Sequence, residues 1–268
     1  MVQQIRHAAG QDERIVGLLD YGSSSEGRSD AWSDIDVALF IRDADLPAFE
    51  RNWKQWAARF GDVLLAYPGA DEHPWTVYRA EPVPLRVDYA FHPESQLDIV
   101  LTWPNSPISV EAMVWFDKTN GVLSGYVQQI VGQSLRPDDE ARAFVKTCGN
   151  FWYYLLYAYS KLRHGQVWFA RESFNAFALG SLLALLRFES DSLDRWKASS
   201  SAWNLERAIS PERLARLNEC IPSADSDGLK TAMYKTSVFG FEICESISVK
   251  RTWTWPIAVG KETIQTLK

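Results

Sequence analysis

The sequence predicts an α/β (α+β) domain with a mixed sheet over residues 1–135, followed by an all-α helical bundle over residues 136–268. Three observations lead there. Strand-like apolar segments alternate with helix-periodic ones as far as about Leu135, which is the pattern of strands layered with helices. At Arg136-Pro137-Asp138-Asp139 a proline beside an acidic pair signals a helix start, and beyond it the periodicity is almost wholly helical to about Ile247. With 268 residues, 46% hydrophobic and 23% charged, the chain can bury a substantial core as one large or two ordinary domains.

Val2 to Ala9 reads as a short helix ended by Gly10, and Arg14 to Tyr21 as the first strand. A second strand opens at Asp34-Ile35-Asp36. Leu46, Phe49, Trp53, Trp56 and Phe60 recur at helical spacing, which marks an amphipathic helix closed by Gly61. Asp62 to Tyr67 and Trp75 to Arg79 are short strands around the turn Pro68-Gly69-Ala70-Asp71. Leu85 to Phe91 is a strand, Glu94 to Leu101 a helix before Pro104, and Ala112 to Asp117 the last strand. Val122 to Val131 closes this half as a helix.

In the second half, Asp138 to about His164 is one long helix, apolar nearly all round in FWYYLLYAYSKL and therefore buried on most faces. Trp168 to Glu189 packs antiparallel to it across a short turn. Shorter helices follow at Ser192–Lys197, Ser201–Ala208 and Pro211–Cys220, then a long one at Ser226–Ser248. The tail, from Trp253-Thr254-Trp255-Pro256 onwards, reads as irregular at first and is not placed further.

The chemistry concentrates in Tyr21 to Phe40, YGSSSEGRSDAWSDIDVALF. Strand alternation puts Asp34 and Asp36 on one face and the apolar Ile35, Val37 and Leu39 on the other. Adjacent carboxylates repel unless a cation sits between them, and Mg²⁺, a hard ion that takes one or two carboxylates plus phosphate oxygens, suits the pair. A solvated strand end is the alternative reading. Gly22-Ser23, where a strand gives way to a turn, offers backbone N–H groups and a hydroxyl to phosphate oxygens. Asp88 lies mid-strand among apolar neighbours, a costly place unless it is paired or bound to metal; Arg86 is the competing partner.

Net charge of −6 argues against a broad grip on a nucleic-acid backbone. Aromatic residues reach 13%, with 12 Trp, which suggests flat-walled pockets as well as core filling. Cys148, Cys220 and Cys244 are scattered, as expected of reduced thiols in the cytoplasm. The N-terminus has no apolar signal region, and no apolar run is long enough to span a membrane.

Gly-Ser, a spacer and Asp-x-Asp at the head of an apolar strand resemble the nucleotidyltransferase domain of the DNA polymerase β superfamily. Tyr21-Gly22-Ser23 through Ser33-Asp34-Ile35, Trp115-Phe116-Asp117-Lys118-Thr119, and Asn150-Phe151 through Gly165 to Ser173 make the chain most similar to the larger lincosamide nucleotidyltransferases among the antibiotic-modifying members. The resemblance implies a catalytic domain over 1–135 and a helical substrate-binding and dimerisation domain over 136–268. It implies transfer of a nucleoside monophosphate, AMP from ATP, to a hydroxyl of a small antibiotic, with two Mg²⁺ ions and release of pyrophosphate. Asp34, Asp36 and Asp88 are then catalytic and metal-ligating; Gly22, Ser23, Ser24 and Arg171 hold the nucleotide; Glu172 is an alternative base to Asp88. Arg28 and Lys161 are further phosphate candidates, and Trp152, Tyr153, Tyr157 and Trp168 are stacking candidates that also suit core packing. The acceptor is expected to be a lincosamide, with an aminoglycoside or a protein of a toxin–antitoxin pair as alternatives, and the enzyme a cytoplasmic homodimer.

Overall fold

The computed structural model describes residues 1–68 and 73–268, which divide into two compact units, Met1–Ser134 and Leu135–Lys268. In the first unit, helix α1 (Val2–Gln11) precedes strands β1 (Ile15–Asp20) and β2 (Ile35–Ile41), helix α2 (Leu46–Ala57), and strands β3 (Val63–Pro68), β4 (Pro74–Tyr78) and β5 (Leu85–Pro93). A 3₁₀ segment (Glu94–Thr102), helix α3 (Val110–Met113), strand β6 (Val114–Asp117) and helix α4 (Val122–Ile130) complete it. The six strands form one sheet in the order β3-β4-β5-β2-β1-β6. Only β2 and β5 run parallel; every other neighbouring pair is antiparallel, so the sheet is mixed as expected.

Both faces of the sheet are covered. Val37, Leu39, Val87 and Tyr89 meet Ile5 and Ala9 of α1 and Phe49, Trp53 and Trp56 of α2. On the other face Leu19, Ala38, Phe40 and Ala90 meet Val100, Leu123, Val127 and Ile130. Strand β2 is buried on both sides beyond Asp36, which explains the unbroken apolar run V-A-L-F-I after the carboxylates. The two aspartates occupy the one end of β2 where packing stops.

Several boundaries differ from the sequence reading. The last strand is shortened because Ser109 accepts the Ala112 backbone N–H and winds Val110–Met113 into a helical turn. Glu94–Thr102 is a 3₁₀ rather than an α-helix, with a non-helical break at Gln96. The turn assigned to Pro68-Gly69-Ala70-Asp71 falls largely outside the described residues; Pro68 itself ends β3.

The second unit is helical: α5 (Glu140–Arg163), α6 (Val167–Ser173), a π-helical stretch (Phe174–Leu179), α7 (Gly180–Ser190), α8 (Leu205–Ala208), α9 (Pro211–Asn218), α10 (Ser226–Arg251) and α11 (Ile257–Leu267). Asp139 caps α5 by accepting the Arg142 N–H, so the acidic pair after Pro137 marks the helix start. Phe144, Phe151, Trp152 and Leu155 of α5 pack with Phe174, Leu182, Leu185, Met233 and Ile243. Helix α10 comes close to α5 at Gly240, where an added Cβ would lie 2.2 Å from the Phe151 ring.

One expectation fails here. No helix forms over Ser192–Lys197: Asp191 adopts φ 59° and ends α7, and the following N–H groups reach back three residues, from Trp196 to Leu193 and Ala198 to Arg195, in successive turns. The tail is irregular over 253–256, as expected, and regular beyond. Residues Ile257–Leu267 form α11, whose Gly260 lies under the rings of Phe241, Trp152 and Trp255. Cys148, Cys220 and Cys244 are buried and free. Among the described residues no helix is long and apolar enough to cross a membrane.

Candidate active site

The parallel pairing of β2 with β5 sets Asp36 opposite Asp88. Asp34, one residue before β2, turns to the same side, and one carboxylate oxygen from each of the three residues lies within 4.8 Å of the others. Residues 34 and 88, 54 positions apart in the chain, therefore meet because of strand register. Arg86 was the bland partner for Asp88; its guanidinium instead donates to Asp34 Oδ2 at 2.7 Å.

The electrostatics are strained without a cation. Burial, then the charges of Asp34, Asp88 and Asp20, push the Asp36 carboxyl up to about 7, with Arg86 opposing. Burial and Asp34 raise Asp88 as well, against Arg86, His73 and a hydrogen bond with Asp36. The Tyr21 hydroxyl is raised by burial and by the same carboxylates. Opposite ligands of a Mg²⁺ ion sit about 4.2 Å apart, twice a metal–oxygen distance of about 2.1 Å, so three oxygens within 4.8 Å need little movement to share one. Three hard oxygen donors, two of them held reluctant to ionise, fit a divalent cation.

Gly22 serves these carboxylates directly. A Cβ there would lie 2.1 Å from Asp36 Oδ2 and 2.9 Å from its Cβ, so any side chain at 22 displaces the Asp36 carboxylate. The sequence pointed to close approach of a phosphate at this glycine; the structure adds close approach of an aspartate. The turn itself is tied by Asp20, a buried carboxylate at the end of β1, which accepts the Gly22 N–H at 2.9 Å. Burial raises the Asp20 carboxyl, against hydrogen bonds from Gly22, Ser24 and Ser25. Ser25 Oγ donates to the Gly22 carbonyl at 2.8 Å, and the Arg28 N–H to the Ser23 carbonyl at 2.9 Å. Ser23 Oγ is buried with no hydrogen-bond partner beside the triad, whereas Ser24 is exposed.

Other sequence candidates have protein partners of their own or are exposed. Arg28 is ion-paired with the buried Glu26 at 2.6 Å, so it braces the turn. Arg171 lies in the second unit, on α6. It donates to the Ser223 and Ala224 carbonyls and stands over the Trp168 ring at 5.9 Å. Glu172 is exposed on the same helix, and the Lys161 ammonium rests over Tyr157 and Phe169. Trp152 is core, while Tyr153 and Trp168 are exposed.

Sequence reasoning missed part of the surroundings. Trp103 packs on Tyr21 (5.8 Å between ring centres), Phe40 (6.3 Å) and His92 (5.6 Å), beside the site. Burial, then the charge of His73, depresses His92 to about 4. Asn105 Nδ2 donates to the Tyr21 carbonyl at 2.5 Å. Asp20 was the one with a signal, a carboxylate closing the apolar strand just before the glycine.

A family model described as "Streptomycin adenylyltransferase" matches residues 1–265, nearly the whole chain. The chain belongs to that family. Membership in the streptomycin adenylyltransferase family makes it a nucleotidyltransferase that draws on a nucleoside triphosphate. Among solved structures, it is similar to an aminoglycoside 6-adenyltransferase from Bacillus subtilis at 15% identity, over 100% of this chain and 95% of the other, with a TM-score of 0.45. It is also similar to a nucleotidyltransferase-like protein from Exiguobacterium sibiricum 255-15 at 12% identity, over 92% and 76%, with a TM-score of 0.37. No curated protein sequence matches it.

Proposed function

We propose that this family member transfers AMP from ATP to a hydroxyl of an aminoglycoside-type antibiotic, releasing pyrophosphate. The observation that carries the reading is the meeting of Asp34, Asp36 and Asp88 beside the Gly22-Ser23 turn. The sequence resemblance put lincosamides first and aminoglycosides second. The family description names an aminoglycoside, which favours the second acceptor class.

In this reading Asp34, Asp36 and Asp88 would hold Mg²⁺ beside the triphosphate. Bound Mg²⁺ would supply charge neutralisation at the phosphates and lower the pKa of the acceptor hydroxyl. Asp20 and Gly22 keep the Asp36 carboxylate in place, the one by fixing the turn, the other by leaving room. Ser23 Oγ, free of protein partners, donates to a β- or γ-phosphate oxygen. Asp88 is placed to take the acceptor's proton; a carboxylate beside Mg²⁺ is a weak base, so the lowered hydroxyl pKa would matter more. Catalysis here is chiefly positioning and electrostatics, as in phosphoryl transfer generally. Arg171, which donates to the Ser223 and Ala224 carbonyls, stays a proposed nucleotide contact by resemblance alone.

The test is to incubate the protein with Mg-ATP and, separately, streptomycin, other aminoglycosides and a lincosamide. A drug mass gain of one adenylyl group with stoichiometric pyrophosphate, absent in Asp36→Asn, supports the proposal. Mass gain on the lincosamide alone would restore the other acceptor class, and gain on no drug would refute antibiotic transfer.

A further inference from the structure

A cavity of about 340 Å³ opens beside the triad, between the residues that lead into β2 and those that lead into β5. Trp32, Asp34, Glu81, Val83, Leu85 and Arg86 line it. We infer that this cavity seats the ring bearing the acceptor hydroxyl, a saturated ring carrying amine or guanidine groups, with Trp32 and Glu81 setting its selectivity. The inference rests on the transferase reading above and adds to it where the acceptor binds.

Position comes first. The order of strands across this end of the sheet is β1, β2, β5. Gly22-Ser23 follows β1, Asp34 and Asp36 open β2, and Asp88 stands opposite Asp36 on β5. The phosphate-holding turn is thus on one flank of the carboxylates and the cavity, which includes Arg86 and the segment before β5, on the other. In-line displacement at phosphorus puts the attacking and leaving oxygens on opposite sides. With pyrophosphate leaving toward Gly22-Ser23, the hydroxyl has to arrive from the β5 flank.

The lining then selects the ligand. Trp32 is 65% exposed, and among the described residues no ring or cation packs on its indole. An indole face accepts the C–H face of a saturated ring and gains further from a cationic substituent. The charged lining consists of two carboxylates, Asp34 and Glu81, against the Arg86 guanidinium, which already donates to Asp34. Glu81 is exposed, with no ion-pair partner among the described residues, and is free to meet an ammonium. At about 340 Å³ the cavity is at the small end of ligand pockets, roughly 300–1,000 Å³, so it takes one or two rings rather than a whole oligosaccharide.

The experiment compares full-length wild type with Trp32→Ala, Trp32→Phe and Glu81→Gln, using Mg-ATP and streptomycin. Trp32→Ala is expected to raise the KM for streptomycin about tenfold and to leave the KM for ATP within about twofold, the size of one lost cation–π and stacking contact. Trp32→Phe keeps a ring and restores most of the affinity, and Glu81→Gln weakens streptomycin alone. Calorimetric titration of streptomycin into each protein, preloaded with Mg²⁺ and a non-hydrolysable ATP analogue, should give the same ranking without turnover. Transfer by every variant with unchanged acceptor KM, or a rise confined to ATP, overturns the inference and leaves the transferase reading standing. Absence of transfer by wild type to streptomycin and to a lincosamide overturns both.

Discussion

Asp36 carries the sharpest residue-scale consequence. Its carboxyl is pushed from 3.8 to about 7 in the folded chain, so without a cation the native state holds that proton more firmly than the unfolded chain does. The contribution to stability is complete below the unfolded value and is lost as pH rises from 3.8 through about 7. A divalent cation replaces the proton, so Mg²⁺ should raise the melting temperature more at about pH 8 than at about pH 5.5. Scanning calorimetry with and without Mg²⁺ measures this directly, and Asp36→Asn should flatten the difference. Gly22 makes a second prediction. Gly22→Ala should lose about a hundredfold or more in kcat, because a carboxylate moved by about 1 Å loses its geometry, and should also cost about 1–3 kcal/mol by overpacking, since the added Cβ meets the Asp36 Cβ and Cγ at 2.9 Å. Activity near wild type would mean that Asp36 need not stay where the turn puts it.

At the scale of elements, two joints should be sensitive. Asp117, at the end of β6, accepts from the backbone and hydroxyls of both Thr119 and Ser124 and so fastens the start of α4. Burial acts against it, yet these donors hold its carboxyl below the ordinary range, so its contribution is present at neutral pH and fades as pH falls below 3.8. Asp117→Ala should cost about 1–2 kcal/mol in urea unfolding, the size of a lost helix cap. Gly240→Ala, driven into the Phe151 ring, should cost about 1–3 kcal/mol by overpacking.

The elements also show what a sequence can and cannot disclose. Long periodic segments such as α2, α5 and α10 announce themselves, and the alternation of Asp36 with Val37 and Leu39 already assigns faces to β2. Helix α11 was hidden because Gly260 interrupts its apolar stripe; the glycine is there to admit Trp152 and Trp255, which no local pattern shows. Trp103, Asn105 and His73 come from aperiodic segments and reach the site only through tertiary packing. Register decides Asp88: its partners are defined by β2–β5 pairing, not by spacing along its own strand.

Across the whole molecule, the sheet brings three acidic side chains together at the one end of β2 left unpacked, and leaves a glycine and an unpaired serine hydroxyl beside them. Every functional statement depends on that convergence serving a metal–nucleotide complex. The most direct measurement is diffraction from crystals of the full chain soaked with Mn²⁺ and a non-hydrolysable ATP analogue, located by the metal's anomalous signal. The account predicts a metal peak within coordination distance of carboxylate oxygens from Asp34, Asp36 and Asp88, with a triphosphate oxygen on the same ion and Ser23 Oγ on the phosphates. A metal-free triad with the nucleotide bound elsewhere would contradict it.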